Sequence, residues 1–107
     1  MQWKKNKLKR ILEEGKIAVG TAFYSFSPAL VETAGYCGLD FCRIDNEHAW
    51  RQDETLEHML RAAAISDIVA LPRVDGTPEL IRKVLEAGAW GFVAPHVVTE
   101  ADVAKIV

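Results

Sequence analysis

Apolar runs recur along the chain, each followed by a polar junction and a helix-start signal. The runs cover residues 17–23, 41–44, 68–74 and 91–98. The starts are Ser27-Pro28-Ala29-Leu30, Asp53-Glu54-Thr55-Leu56, Thr77-Pro78-Glu79-Leu80 and Thr99-Glu100-Ala101-Asp102. Each puts a capping side chain ahead of a first turn, and two place proline at the first helical position. The caps fall at 27, 53, 77 and 99, a spacing that suits one β/α unit. Leu56, Met59, Leu60 and Ala63 share one helical face, as do Ile81, Val84, Leu85 and Gly88. Gly15, Gly35 and Gly88 stand where helix ends favour a left-handed residue. Strand runs this uniformly apolar predict a parallel sheet covered by helices.

The pattern predicts an α/β fold of four β/α units with parallel strands. Two architectures accommodate it: a small open sheet, or half of a (β/α)8 barrel, which takes about 250 residues. The length of 107 residues fits one domain. The pattern stops at Ala104-Lys105-Ile106-Val107 without glycine, proline or a polar stop, so the chain is expected to be truncated.

Composition excludes several classes. A net charge of −2 gives no electrostatic case for nucleic acid, and Trp3, Trp50 and Trp90 do not interleave with basic residues. The basic run Lys4-Lys5-Asn6-Lys7-Leu8-Lys9-Arg10 leads straight to Glu13 and Glu14, the pattern of a solvated helix face. No apolar segment approaches the ~20 residues that span a bilayer, and no apolar core of a secretory signal follows the basic N-terminus. Cys37 and Cys42 match no metal or redox spacing and are expected to be free thiols of a cytoplasmic protein. There is no glycine-rich phosphate loop, no GxSxG and no HExxH.

The chemistry gathers at strand ends. Asp45-Asn46-Glu47-His48 crowds ionisable groups at the close of an apolar run. Unpaired charge in a core costs several kcal/mol, whereas the C-terminal rim of a parallel sheet is where ligands bind. That rim also receives Tyr24, Arg73, Asp75 and His96. His48 is the natural general base, because its unperturbed pKa lies near neutrality; the alternative is a capped loop histidine. Asp45 and Glu47 can orient it. The Arg73 fork can hold a carboxylate or a developing enolate oxygen; the alternative is a surface arginine paired with Asp75. His58, beside Met59 in a helix, reads as structural, and His96 as a residue able to line the site.

These residues fall into a recognisable order. Gly20, Ser27-Pro28, Ala34-Gly35-Tyr36-Cys37-Gly38-Leu39-Asp40-Phe41 and Ile44-Asp45-Asn46-Glu47-His48 resemble the HpcH/HpaI aldolase family, whose members include 4-hydroxy-2-oxoheptanedioate and 2-dehydro-3-deoxyglucarate aldolases. The resemblance continues through Pro72-Arg73-Val74, Leu85-Glu86-Ala87-Gly88-Ala89 and Val93-Ala94-Pro95-His96-Val97. It implies the N-terminal half of a (β/α)8 TIM barrel, with residues 1–107 forming a partial barrel of one short helix and four β/α units. It also implies metal-dependent (class II) cleavage of 4-hydroxy-2-oxo acids to pyruvate, or a related 2-oxo acid, and an aldehyde. His48 matches the catalytic histidine, Arg73 the arginine that steadies the carbonyl oxygen, and Asp45 and Glu47 the carboxylates beside them. Glu86 matches an acid paired with that histidine, which it is expected to reach only from a neighbouring subunit of a homo-oligomer. The implied cofactor is a divalent cation, Mg, Mn or Co. Its family ligands lie on later strands, so no metal ligand is assigned in this chain, and the isolated chain is expected to be inactive.

The chain departs from the family at Arg43, usually apolar and here expected to pair with Asp45 or Glu47, and at Ala22, where some members carry tryptophan. Two other readings stay open: a non-catalytic half-barrel that pairs with itself or with a separately encoded second half, and an unrelated small α/β binding protein.

Overall fold

The computed structural model describes residues 5–48 and 54–107. Its elements run α1 (Lys7–Glu13), β1 (Gly20–Phe23), α2 (Pro28–Tyr36), β2 (Phe41–Asp45), α3 (Glu54–Ile65), β3 (Val69–Arg73), α4 (Pro78–Glu86) and α5 (Glu100–Ile106). The strands form one sheet in the order β1-β2-β3, and both pairings are parallel. Successive strand residues point to opposite faces. Cys42, Ile44, Ala70 and Pro72 turn towards the helices and are buried, while Arg43, Asp45, Leu71 and Arg73 share the opposite face.

The core lies between this sheet and the helices. Val31 and Ala34 of α2 meet Leu56, Met59, Leu60 and Ala63 of α3 over Cys42, Ile44 and Ala70. Val31, Ile44 and Met59 are fully buried, each contributing about 1.5–3 kcal/mol relative to exposure. The helical face expected over residues 56–63 is thus the one that packs. α1 buries no residue; it is tied down at its N-terminal end. Asn6 caps it, accepting from the N–H groups of Leu8 and Lys9, and its own amide donates to the Trp90 carbonyl at 3.1 Å. Lys7 donates to the Asp67 carbonyl at 2.7 Å.

Four expectations need correction. The run at 91–98 makes one parallel bridge, Val93 with Arg73, instead of a fourth strand. Pro95 lacks an N–H to extend the ladder, and His96 takes a left-handed backbone conformation, φ 58°. The first run pairs only over Gly20–Phe23, leaving Ile17 87% exposed. Ser27 and Thr77 occupy N-cap positions without a side-chain bond; the proline after each removes one orphan N–H. Thr99, by contrast, forms a reciprocal capping box with Asp102. The cap expected at Asp53 lies outside the described residues, as do Lys4, Trp3 and Trp50.

Gly35 is the fourth correction. It lies inside α2, and Gly38 (φ 89°) takes the left-handed position after the helix. Gly35 is required for a different reason: a Cβ there would sit 2.5 Å from the Ser66 Cβ and 2.6 Å from its carbonyl oxygen. The glycine lets α2 approach the turn that follows α3. Gly20 plays the same part on the sheet, where a Cβ would meet the Phe41 ring at 2.7 Å. No helix among the described residues is long and apolar enough to cross a membrane.

Two expected outcomes follow from this packing. Gly35→Ala should destabilise the fold by about 1–3 kcal/mol in urea titration, as overpacking does, although alanine favours an exposed helix by about 1 kcal/mol; a stabilised variant would contradict the close approach. Cys37 is exposed and Cys42 buried, with burial pushing the Cys42 thiol up to about 11. A thiol reagent should therefore modify one cysteine in the native chain and two in denaturant, and rapid native modification of both would refute the burial of Cys42.

Candidate functional site

The register of two strands builds the site. β2 and β3 pair so that Asp45 stands beside Arg73 at the last rung. The Asn46 N–H then donates to the Arg73 carbonyl at 3.1 Å, and the chain turns away. Asp45 stabilises that turn: its Oδ1 accepts the N–H groups of Glu47 at 3.1 Å and His48 at 3.0 Å, as aspartate commonly does in turns.

The other oxygen of Asp45 faces the chemistry. Oδ2 accepts from His48 Nδ1 at 3.1 Å and from Arg73 Nη1 at 3.5 Å. Arg73 Nη2 lies 2.7 Å from Glu47 Oε2, and His96 Nε2 donates to Glu47 Oε1 at 2.5 Å. One network therefore joins the ends of β2, β3 and the Val93 segment. Asp45 is fully buried, whereas the His48 side chain is 64% exposed. Burial by itself would raise the Asp45 pKa; the bonds from His48, backbone and imidazole, and from the Glu47 N–H outweigh it and hold the carboxyl below its ordinary range. An ionised carboxylate only accepts, so His48 Nδ1 carries a proton and Nε2 points away from Asp45 as the ring's other polar atom.

Of the residues expected to act, Asp45, Glu47, His48 and Arg73 come together. Asp75 is not the partner of Arg73; its Oδ1 accepts the Thr77 N–H at 3.0 Å. His58 pairs with Glu54 and Arg61 on the exposed side of α3. Arg43 does not reach Asp45 or Glu47; its Nη2 donates to the Tyr24 hydroxyl at 2.7 Å. Glu86 ends α4, which runs back from the site to the start of the next segment. It lines a groove with Arg61 and Lys83 on the helical side of the sheet, away from His48. The His96–Glu47 bond was foreshadowed by its strand-end position. The Arg43–Tyr24 bond depends on register, which the sequence does not print.

Asp45, Glu47 and His48 offer three ligand-capable atoms within 4.8 Å of one another, so the fit of a cation can be judged. Both Asp45 oxygens and Glu47 Oε1 already have donors, and Glu47 Oε2, buried without a hydrogen bond, faces the Arg73 guanidinium at 2.7 Å. A divalent ion would displace several of these bonds and face a fixed positive charge. The trio does not fit a metal ion.

No family model matches the chain. Among curated proteins, the 2-keto-3-deoxy-L-rhamnonate aldolase of Escherichia coli O9:H4 (strain HS) is 34% identical over 104 residues, covering 95% of this chain and 39% of that protein. Among solved structures, the citrate synthase SbnG superposes with a TM-score of 0.89 at 36% identity, covering 96% of this chain and 42% of that one. The HpcH/HpaI aldolase from Desulfitobacterium hafniense DCB-2 gives a TM-score of 0.84 at 29% identity, covering 96% of this chain and 40% of that one. The chain spans about two-fifths of the length of the relatives it matches. With its parallel sheet, its crossover helices and this degree of identity, the chain is similar to the HpcH/HpaI aldolases over about two-fifths of their length.

Proposed function

We propose that this chain supplies the proton-transfer and carbonyl-binding part of an aldolase-type carbon–carbon lyase. Its substrates would be 4-hydroxy-2-oxo acids, cleaved to pyruvate or a related 2-oxo acid and an aldehyde. The observation that carries the reading is the buried Asp45 carboxylate shared by His48 and Arg73.

The roles follow from that sharing. His48, with its proton fixed on Nδ1, accepts the proton of the substrate's 4-hydroxyl at Nε2. The C3–C4 bond then breaks, the aldehyde leaves, and the electron pair moves into the C2 carbonyl as an enolate. Arg73 has five N–H donors; those not engaged by Asp45 and Glu47 stabilise the enolate oxygen. Protonation at C3 gives the 2-oxo acid. The SbnG match keeps the reaction class broad, since citrate synthesis also joins carbons beside a carbonyl. The divalent cation implied by the family (Mg, Mn or Co) would be held by ligands that this chain does not supply, and would act there as a Lewis acid on the 2-oxo acid. Residues 1–107 would act as one partial barrel domain within a cytoplasmic homo-oligomer, Glu86 reaching a histidine only across subunits.

A second reading is a self-pairing half-barrel without catalysis. It is favoured by the apolar Ile17 and Val98, 87% and 86% exposed, and by β1 ending the described sheet, because open edges invite association. A monomer in sedimentation at all concentrations would remove it.

Assays for pyruvate release from a 4-hydroxy-2-oxo acid with magnesium, manganese or cobalt should show little activity for the isolated chain. Joined to a segment supplying the rest of the barrel, it should become active. His48→Ala should then cost about 10²–10⁴-fold and Arg73→Met about 10²–10³-fold; undiminished turnover in either variant would refute these roles.

The stability of the site should also depend on pH. Asp45 gives up its proton more readily folded than unfolded, so its contribution is present above the unfolded pKa and fades as pH falls through the folded one. Asp45→Asn should be less stable than the parent near neutrality, the gap closing below about pH 4. A gap independent of pH in urea titrations would count against an ionised Asp45.

A further inference from the structure

Arg73 is gripped unequally. Its Nη1 lies 3.5 Å from Asp45 Oδ2, at the edge of hydrogen-bonding range, whereas its Nη2 lies 2.7 Å from Glu47 Oε2. An ion pair weakens with distance, so Glu47 fixes the fork more firmly than Asp45 does. The Asp45 carboxylate is itself held by its turn, which satisfies Oδ1 twice. Glu47 lacks that support: among the described residues, its carboxylate meets Arg73 on one side and His96 on the other. The His96 Nε2 donates to Oε1 from 49 residues away in the chain.

His96 is placed for this task in an unfavourable conformation. Its φ of 58° is left-handed, a region that histidine enters more readily than most residues but still at a cost. Such a backbone persists where its surroundings dictate it, and here both flanks do. Upstream, Val93 bonds to Pro72 and Val74 at 2.9 and 3.1 Å. Downstream, the Val98 and Thr99 N–H groups donate to Asp102 at 3.2 and 2.9 Å. Glycine would take the turn between these fixed points without strain. Histidine adds what glycine lacks, a donor that reaches Glu47, and with its side chain 80% exposed it adds little to the core. We propose that His96 is a positioning residue for Arg73: through Glu47 it sets the orientation in which the guanidinium meets a substrate oxygen. The role rests on the lyase reading for what Arg73 holds, but its test reads the free chain.

The test follows rotation of the Arg73 guanidinium by NMR of the ¹⁵N-labelled chain, with hydrogen exchange at the Val74 and Val93 N–H groups as control. His96→Gly should speed that rotation about tenfold, the effect of one charge-assisted bond. Exchange at Val74 and Val93 should stay as in the parent, and the urea midpoint should not fall. His96→Gln, which keeps an N–H donor of similar reach, should restore the slow rotation. Glu47→Gln should loosen Arg73 as well, and adding His96→Gly to it should change nothing further. Rotation as slow in a folded His96→Gly as in the parent would overturn the proposal. So would loosening that glutamine fails to reverse, that adds in full to that of Glu47→Gln, or that comes with faster exchange at Val93, the sign of a tether alone. Should the glycine variant not fold, His96→Asn decides in its place, since asparagine tolerates the left-handed backbone but is too short to reach Glu47. A guanidinium loosened as expected, in a chain whose completed barrel cleaves no carbon–carbon bond, would sink the lyase reading and leave this one standing. Cleavage alongside an Arg73 indifferent to His96 would do the reverse.

Discussion

The site is organised around one buried carboxylate. Asp45 has no exposed surface, and a charge so placed persists only when each of its oxygens is met by donors. Oδ1 holds the turn that carries Glu47 and His48, and Oδ2 holds the imidazole and the guanidinium. Folding and site geometry are thus linked through one side chain: the contacts that close the end of β2 also orient the imidazole and the guanidinium. Glu47 extends the arrangement by bridging Arg73 to His96.

The parallel register makes this possible. Because neighbouring strands run the same way, Asp45 and Arg73 finish side by side, and alternate residues divide cleanly between core and open face. Cys42 and Ile44 anchor the strand from behind, so the groups in front are held by a packed layer rather than by a loop. The close approach at Gly35 and Ser66 fixes the helices that make that layer.

Much of this was legible in the sequence, for identifiable reasons. Apolar runs, proline-led helix starts and 3.6-residue periodicity reflect local physics, and they located α2, α3, α4 and α5 and the three paired strands. Asp45, Glu47, His48 and Arg73 could be grouped because strand ends of parallel sheets share a rim. What escaped depends on distant partners. Gly35 looked like a helix terminator until Ser66 was seen against it. The run at 91–98 looked like a strand, but Pro95 and the left-handed His96 end its ladder after one bridge. Arg43 was expected to pair along its own strand and instead crosses to Tyr24, a choice set by the neighbouring strand.

The fourth unit is attached to the sheet by few bonds. Two ladder hydrogen bonds around Val93 and one side-chain tether from His96 to Glu47 join it to the network, while the first three strands are zipped along their lengths. The segment is nevertheless anchored from behind, because Ala89 belongs to the core, Phe92 packs against it and the Trp90 carbonyl accepts from Asn6. The rim of the site is therefore a continuous ladder on one side and a single bridge on the other, with the His96–Glu47 bond spanning the two.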